Sequence, residues 1–467
     1  DGIRDLVRSR GLGDVYKRQA AAPAPAAEKP IDVVLQGLGQ VREPGDLALA
    51  PDGRWVAFAE KPGQAGPASP LYVAAAGGGE PQRLTKAPGA WRERAPAFSP
   101  DGRRLAFLSD AGSPGQQQVF VAYLSAEGRV AAPRRLTTDL RGDLTALSFA
   151  PDGTRLALLY VPGASAATGP LEAHPRDAGP VEERETPQRL ALVDASSGRV
   201  RDLSPEGLHV YDFDWAPDGS WLATEAVFGS GTNDYWIAQL WRLETRSGEA
   251  RPLWKPSLQL ASPRVSPDGR SVAVIQGLMS DEGSNGGEVW LVPGEGGAAR
   301  NLTPGLPSSA RSLHWRSSGE LWLLEARAGG SALESLDPAS GARRDVWSGL
   351  ESLSGFAVAR SSGVTAAVRH SFDQPPEVHL GTPGTWRPVT ACNAGAARFW
   401  GPATSLGWET PVGRAQGFLL APPEVEPGRR YPLVVVVHGG PAGTHTAGWP
   451  ARWPAVLPSQ GFYVLLP

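Results

Sequence analysis

Ala97-Phe98-Ser99-Pro100-Asp101-Gly102-Arg103-Arg104-Leu105-Ala106-Phe107-Leu108 decides the fold: two short apolar runs folded back on each other at Ser-Pro-Asp-Gly. Proline presets φ at the first turn position, aspartate suits the second, and glycine accepts the positive φ that closes the turn. The tetrapeptide [Ala/Ser]-Pro-Asp-Gly recurs at Ala50–Gly53, Ala150–Gly153, Ala216–Gly219 and Ser266–Gly269. Degenerate Arg-Ser-Ser-Gly copies stand at Arg316–Gly319 and Arg360–Gly363. Measured glycine to glycine, the seven copies are 49, 51, 66, 50, 50 and 44 residues apart.

A second marker keeps the same period. Gln82-Arg83-Leu84-Thr85, Arg134-Arg135-Leu136-Thr137, Arg201-Asp202-Leu203-Ser204, Arg300-Asn301-Leu302-Thr303 and Arg387-Pro388-Val389-Thr390 each follow an apolar strand and a turn. Two hairpins per unit give four strands per unit, and units of this length are propeller blades. A solenoid has similar repeats, but four-stranded units of this period favour radial closure. The expectation is a mainly β chain with a seven-bladed β-propeller. The 66-residue interval marks an insertion in the third unit, Val161 to Pro187, carrying His174, Glu182, Glu183 and Glu185. Its carboxylates, Glu182 and Glu183 first, are candidates to hold a substrate's amino terminus; the plainer alternative is a solvated surface loop.

Length and composition bound the rest. The chain has 467 residues, enough for two or three domains, with a net charge of −3 and a pI near 6.2. No basic stripe points to nucleic acid and no apolar run reaches membrane-span length. Its 57 glycines, 45 prolines and 16 tryptophans suit a turn-rich β protein. One cysteine, Cys392, allows neither an internal disulfide nor a cysteine metal cluster. The histidines show no metal-ligand spacing, and no cofactor motif is present. Residues 1–19 are polar and Arg-rich and read as adaptor sequence or a disordered tail. The Ala/Pro tract Ala20–Pro30 resembles the stretch just after a secretory cleavage site, which favours a periplasmic or secreted setting.

After Ala391 the period stops, and the domain reading is 1–30 leader, 31–392 propeller and 393–467 a second domain. Tyr431-Pro432-Leu433-Val434-Val435-Val436-Val437-His438-Gly439-Gly440-Pro441 reads as a strand buried on both faces, ended by a glycine turn. Phe462 to Leu466 is a further buried strand. Between them Pro450, Pro454 and Pro458 predict a helix that is short, kinked or late in starting.

The seven-unit repeat followed by this Val run, the His-Gly-Gly-Pro loop and Gly461-Phe462-Tyr463-Val464-Leu465-Leu466-Pro467 resembles the prolyl oligopeptidase family of serine peptidases. The His-Gly-Gly-Pro form is closest to its acylaminoacyl-peptidase and dipeptidyl-aminopeptidase branch. The resemblance implies a propeller gating access to the N-terminal portion of an α/β-hydrolase domain, and peptide substrates cleaved by a Ser/Asp/His triad without cofactor. It also implies that the backbone N–H of Gly440 is one oxyanion-hole donor. No serine has glycine both two before and two after it, the nearest being Ser165. In hydrolase order the triad comes after this loop, so the expectation is a chain truncated before its nucleophile and inactive by itself. A non-catalytic propeller binding protein and an esterase on the same scaffold are the alternatives.

Overall fold

In a computed structural model, residues 30–61, 69–85, 91–125, 129–164, 186–229, 234–279, 286–360, 362–411, 413–440, 443–450 and 453–467 are described. They form eight four-stranded sheets and fall into two compact units. The larger holds Gln40–Gly395 and Gly439–Trp449, and the smaller holds the helix Ile31–Gly39 with Ala396–His438 and Pro450–Pro467.

The larger unit is seven antiparallel meanders, each joining consecutive strands. The first runs through Pro44–Leu49, Trp55–Glu60, Leu71–Ala75 and Gln82–Arg83, and the seventh through Ser352–Val358, Thr365–His370, Glu377–Gly381 and Arg387–Pro388. Strand alternation sends successive side chains to opposite faces, and here both faces are covered. Ala57, Leu71 and Val73 of the first sheet pack on Leu105, Phe107 and Phe120 of the second. From the other face Val56, Phe58 and Ala74 pack on Ala366, Val368 and Val378 of the seventh. Each intervening pair of neighbouring sheets shares its own core in the same way.

The turns behave as their chemistry requires. In all five Pro-Asp-Gly copies the glycine lies at φ between +68° and +75° and its N–H bonds the carbonyl three residues back at 2.8–2.9 Å. The aspartate carboxylate accepts the N–H two residues on, at 2.8–3.1 Å. In the second and fifth copies a serine hydroxyl, Ser99 or Ser266, also donates to it and helps hold Asp101 and Asp268 below the usual carboxylate range. The sixth copy differs. Ser317 pairs directly with Glu320, so Ser318-Gly319 forms a two-residue turn without a proline.

The second marker completes a short fourth strand. Leu136 N–H bonds the Val119 carbonyl at 2.8 Å while Thr137 Oγ1 accepts the Val119 N–H at 2.9 Å. Thr303, Thr390 and Ser204 repeat this arrangement on Val289, Val378 and Leu190. The hydroxyl thus stands in for one more carbonyl of the ladder.

Two features of this unit have no signature in the repeats. First, every opening strand slips register against the second, at Gly45/Ala48 and Arg94/Ala97 through to Leu353/Phe356. Left-handed φ at Asp46, Ala95 and Ser262 marks three of these bulges, which sharpen strand twist. Second, the ends of the unit are clasped by one amide. Asn393 Oδ1 accepts the Arg42 N–H and its Nδ2 donates to the Arg42 carbonyl, both at 2.8 Å. Nδ2 also donates to the Pro376 carbonyl, while Asn393 and Cys392 N–H groups bond the Glu377 carboxylate. Burial beside that carboxylate pushes the Cys392 thiol up to about 12.

The smaller unit contains a mixed sheet. Ala403–Thr410 and Gly413–Leu420 form a hairpin, Gly413–Leu420 pairs antiparallel with Tyr463–Leu466, and Leu433–Val435 pairs parallel with Tyr463–Leu466. The crossover between the parallel strands includes a seven-residue helix, Trp453–Ser459. It starts late, with Pro454 in the first turn where no intrahelical N–H bond is needed, and stops one residue after Pro458. Burial on both faces of the Val run is not found: Leu433, Val435 and Val437 remain 49–69% exposed. Among the described residues the strand pairs on one edge only, and that face stays half exposed or more.

Candidate active-site loop

The Val run enters the loop from a regular parallel pairing. Pro432 C=O accepts the Tyr463 N–H and Leu465 C=O accepts the Val436 N–H, both at 2.9 Å. The ladder then stops at His438-Gly439-Gly440. Gly440 lies at φ +139°, a backbone shape L side chains rarely adopt. A Cβ placed on Gly439 would meet no atom within 4 Å, and both glycines are solvent-exposed. An exposed, side-chain-free turn behind a parallel strand can present backbone N–H groups to an anion that develops during a reaction.

From Gly439 the chain belongs to the seven-sheet unit and is held there by three hydrogen bonds. Ala447 N–H donates to the Gly329 carbonyl at 2.7 Å, in the turn between the second and third strands of the sixth sheet. Thr446 and Ser352 hydroxyls bond each other at 2.7 Å. Trp449 N–H donates to His370 Nδ1 at 3.0 Å, and burial lowers the pKa of that imidazole. A Cβ on Gly448 would lie 2.8 Å from His370 Cε1 and 3.1 Å from Ser352 Oγ, so only glycine fits between them. His445 is half-buried.

Elsewhere in the same unit, burial also depresses His209, His314 and His379. His209, which accepts the Gln188 N–H at Nδ1, is lowered to about 4, and His314, beside Ser312 Oγ at 3.0 Å, to about 3. A polar cavity of about 300 Å³ opens where the first three sheets begin, lined by Asp46, Glu60, Arg92, Arg94, Gln117 and Asp143 among others. Its charges are satisfied internally: Arg94 pairs with Asp143 at 2.7 Å, Arg92 with Asp110 at 3.4 Å, and Arg42 with Glu60.

Of the residues singled out from the sequence, Gly440 is described, and Glu182 and Glu183, with His174 and Ser165, lie outside the described residues. Ser352 and His370 were not singled out. No local signal could have found them, since their partners lie 94 and 79 residues away in the chain. No described helix is long and apolar enough to cross a membrane.

No family model matches the chain. It is 24% identical over 466 residues to a dipeptidyl-peptidase 5 of Porphyromonas gingivalis, covering 90% of this chain and 65% of that protein. Its structure resembles the acylaminoacyl peptidase of Pyrococcus horikoshii, with a TM-score of 0.67 at 14% identity over 91% of this chain and 65% of the other. It also resembles a puromycin hydrolase, with a TM-score of 0.66 at 20% identity over 95% of this chain and 69% of the other. The chain thus spans about two thirds of the length of the proteins it matches. Homologues and structural neighbours alike are prolyl oligopeptidase-family peptidases, and it is these that the chain resembles in sequence and fold.

Proposed function

We propose that this chain carries the substrate-gating part and half of the oxyanion hole of a serine peptidase acting on short peptides. In this reading the seven meanders are the blades of a seven-bladed propeller that limits access to small substrates. The mixed sheet is the opening of an α/β-hydrolase sheet, and residues 393–467 are the beginning of that domain. A Ser/Asp/His triad would come after the His438-Gly439-Gly440 loop in the hydrolase order. The Gly440 N–H would hold the oxyanion of the tetrahedral intermediate while the histidine takes the serine proton. Glu182 and Glu183 would meet the peptide's amino terminus.

The observation that carries the reading is the Leu433–Val435 strand running parallel to its neighbour into an exposed Gly439-Gly440 turn. The mutual packing of the first and seventh sheets supports the closed propeller. The polypeptide expressed from the complete reading frame should hydrolyse dipeptidyl and N-acyl-aminoacyl p-nitroanilides and lose that activity to a fluorophosphonate. Gly440→Ala keeps the N–H but cannot readily hold φ +139°, so the donor is displaced and kcat should fall by roughly 100- to 1000-fold, the effect of losing one oxyanion donor. Activity indifferent to both would overturn the proposal, and hydrolysis of esters alone would replace it with an esterase.

A further inference from the structure

We propose that His370, with Ser352 and the Gly329 carbonyl, forms a latch that fixes residues 443–449 and so anchors the chain that follows Gly440 within the seven-sheet unit. The role of Gly440 rests on the function proposed above; the latch itself rests on geometry alone. Successive residues of the segment are engaged. The Thr446 hydroxyl meets Ser352, the Ala447 N–H meets Gly329 and the Trp449 N–H meets His370, while the Gly448 N–H bonds the Thr446 carbonyl at 2.8 Å. Gly448 lies so close to the imidazole and to Ser352 that any side chain would force them apart. Gly329 is itself set in a turn where Ala328 and Gly329 both have positive φ, at 48° and 75°, which aims its carbonyl outward from the hairpin end.

The latch constrains the chemistry of His370. A backbone N–H donates to Nδ1, so Nδ1 bears the lone pair and the ring is neutral with its proton on Nε2. Protonation would place a second N–H against that of Trp449 and remove the acceptor. The charges facing the ring come from several elements. Glu43 and Lys61 of the first-sheet end pair with each other at 3.3 Å, and Glu351 pairs with Arg369 at 2.8 Å. Because each carboxylate is matched by a cation, burial is left as the dominant influence and keeps the ring neutral. His370 is thus a positioning residue rather than a catalytic one, and the latch should open under acid.

Hydrogen exchange of the 443–450 region, read by mass spectrometry, tests this on the chain itself. His370→Ala should speed exchange of the Trp449 and Ala447 amides by roughly tenfold at pH 7.5, the effect of one lost hydrogen bond. The strand Thr365–His370 should keep its protection. His370→Asn offers an acceptor oxygen near the Nδ1 position without titrating. It should restore most of the protection and keep it at acid pH, where the wild-type chain loses it once pH has fallen through the depressed pKa of His370, after correction for intrinsic exchange. Gly448→Ala should loosen the same amides through the clash, with the imidazole intact. Unchanged exchange in His370→Ala, or equal loss in His370→Asn at both pH values, would overturn the latch. A chain whose full reading frame yields no fluorophosphonate-labelled serine, yet whose loop exchange responds as expected, would refute the peptidase reading and leave the latch standing.

Discussion

The seven-sheet unit and the mixed sheet use the same kinds of residue to opposite effect. Leu158 in the third sheet and Val435 in the Val run are both branched aliphatics within strands. Leu158 is fully buried between two sheets, whereas Val435 is 49% exposed. A strand in the larger unit is covered on both faces because the next sheet always supplies a partner, and the seventh supplies one to the first. In the mixed sheet, the face carrying Leu433, Val435 and Val437 stays half exposed or more. Apolar composition therefore marks a strand but does not bury it. Burial depends on the next layer, which local sequence does not encode.

The sharpest way to break this contrast is to delete the same chemistry from both places. Leu158→Ala should cost about 3–4 kcal/mol of unfolding free energy in urea, from lost transfer energy plus an unfilled cavity. Val435→Ala should cost less than about 1 kcal/mol, since much of its surface is already in water. Equal costs would mean that the Val run is covered in solution.

A second difference concerns protons. Among the histidines that the larger unit keeps neutral by burial, His209 is lowered to about 4 and His314 to about 3. Their folded pKa values lie below the unfolded value near 6.5, so the unfolded chain binds more protons at intermediate pH. The stability this contributes is complete above pH 6.5 and is lost as pH falls toward 4. For His209 the loss is at most on the order of 3 kcal/mol. Thermal melts from pH 7.5 to 4 should show the seven-sheet transition falling steeply, and His209→Gln should flatten part of that fall. A melting temperature insensitive to pH over this range would contradict the burial.

The smallest effect sharpens how the larger unit closes. Asn393→Ala removes the amide that bonds both the N–H and the carbonyl of Arg42. It should cost about 2 kcal/mol, because those backbone groups lose partners in a half-buried site. A cost near zero would assign closure to the apolar packing of the first and seventh sheets alone.

The repeat was legible because its chemistry is local. Proline, aspartate and glycine determine a turn within four residues, and all five full copies adopt it. The Leu-Thr marker was legible as a position, but its role as a substitute rung of the ladder emerges only when strand three lies beside it. The sixth turn shows the limit, since without Pro-Asp its hairpin tightened to two residues. The inner-strand bulges left no trace in the residue types, as they answer to the twist needed between neighbouring sheets. At the loop, glycines beyond a buried-looking strand were readable, and prolines correctly foretold a short, late helix. His370 and Ser352 were invisible because their partners lie 79 and 94 residues away.

By itself, then, the sequence determined the four-stranded unit, its sevenfold recurrence, the turn conformations and the glycine loop after the Val run. Each of these is settled within a few residues by dihedral preference and strand alternation. Tertiary structure alone decided which apolar faces are covered, how Asn393 clasps the ends, and that His370 holds the segment behind Gly440. Those outcomes depend on groups far apart in the chain, whose desolvation and hydrogen bonding exist only once the sheets have packed.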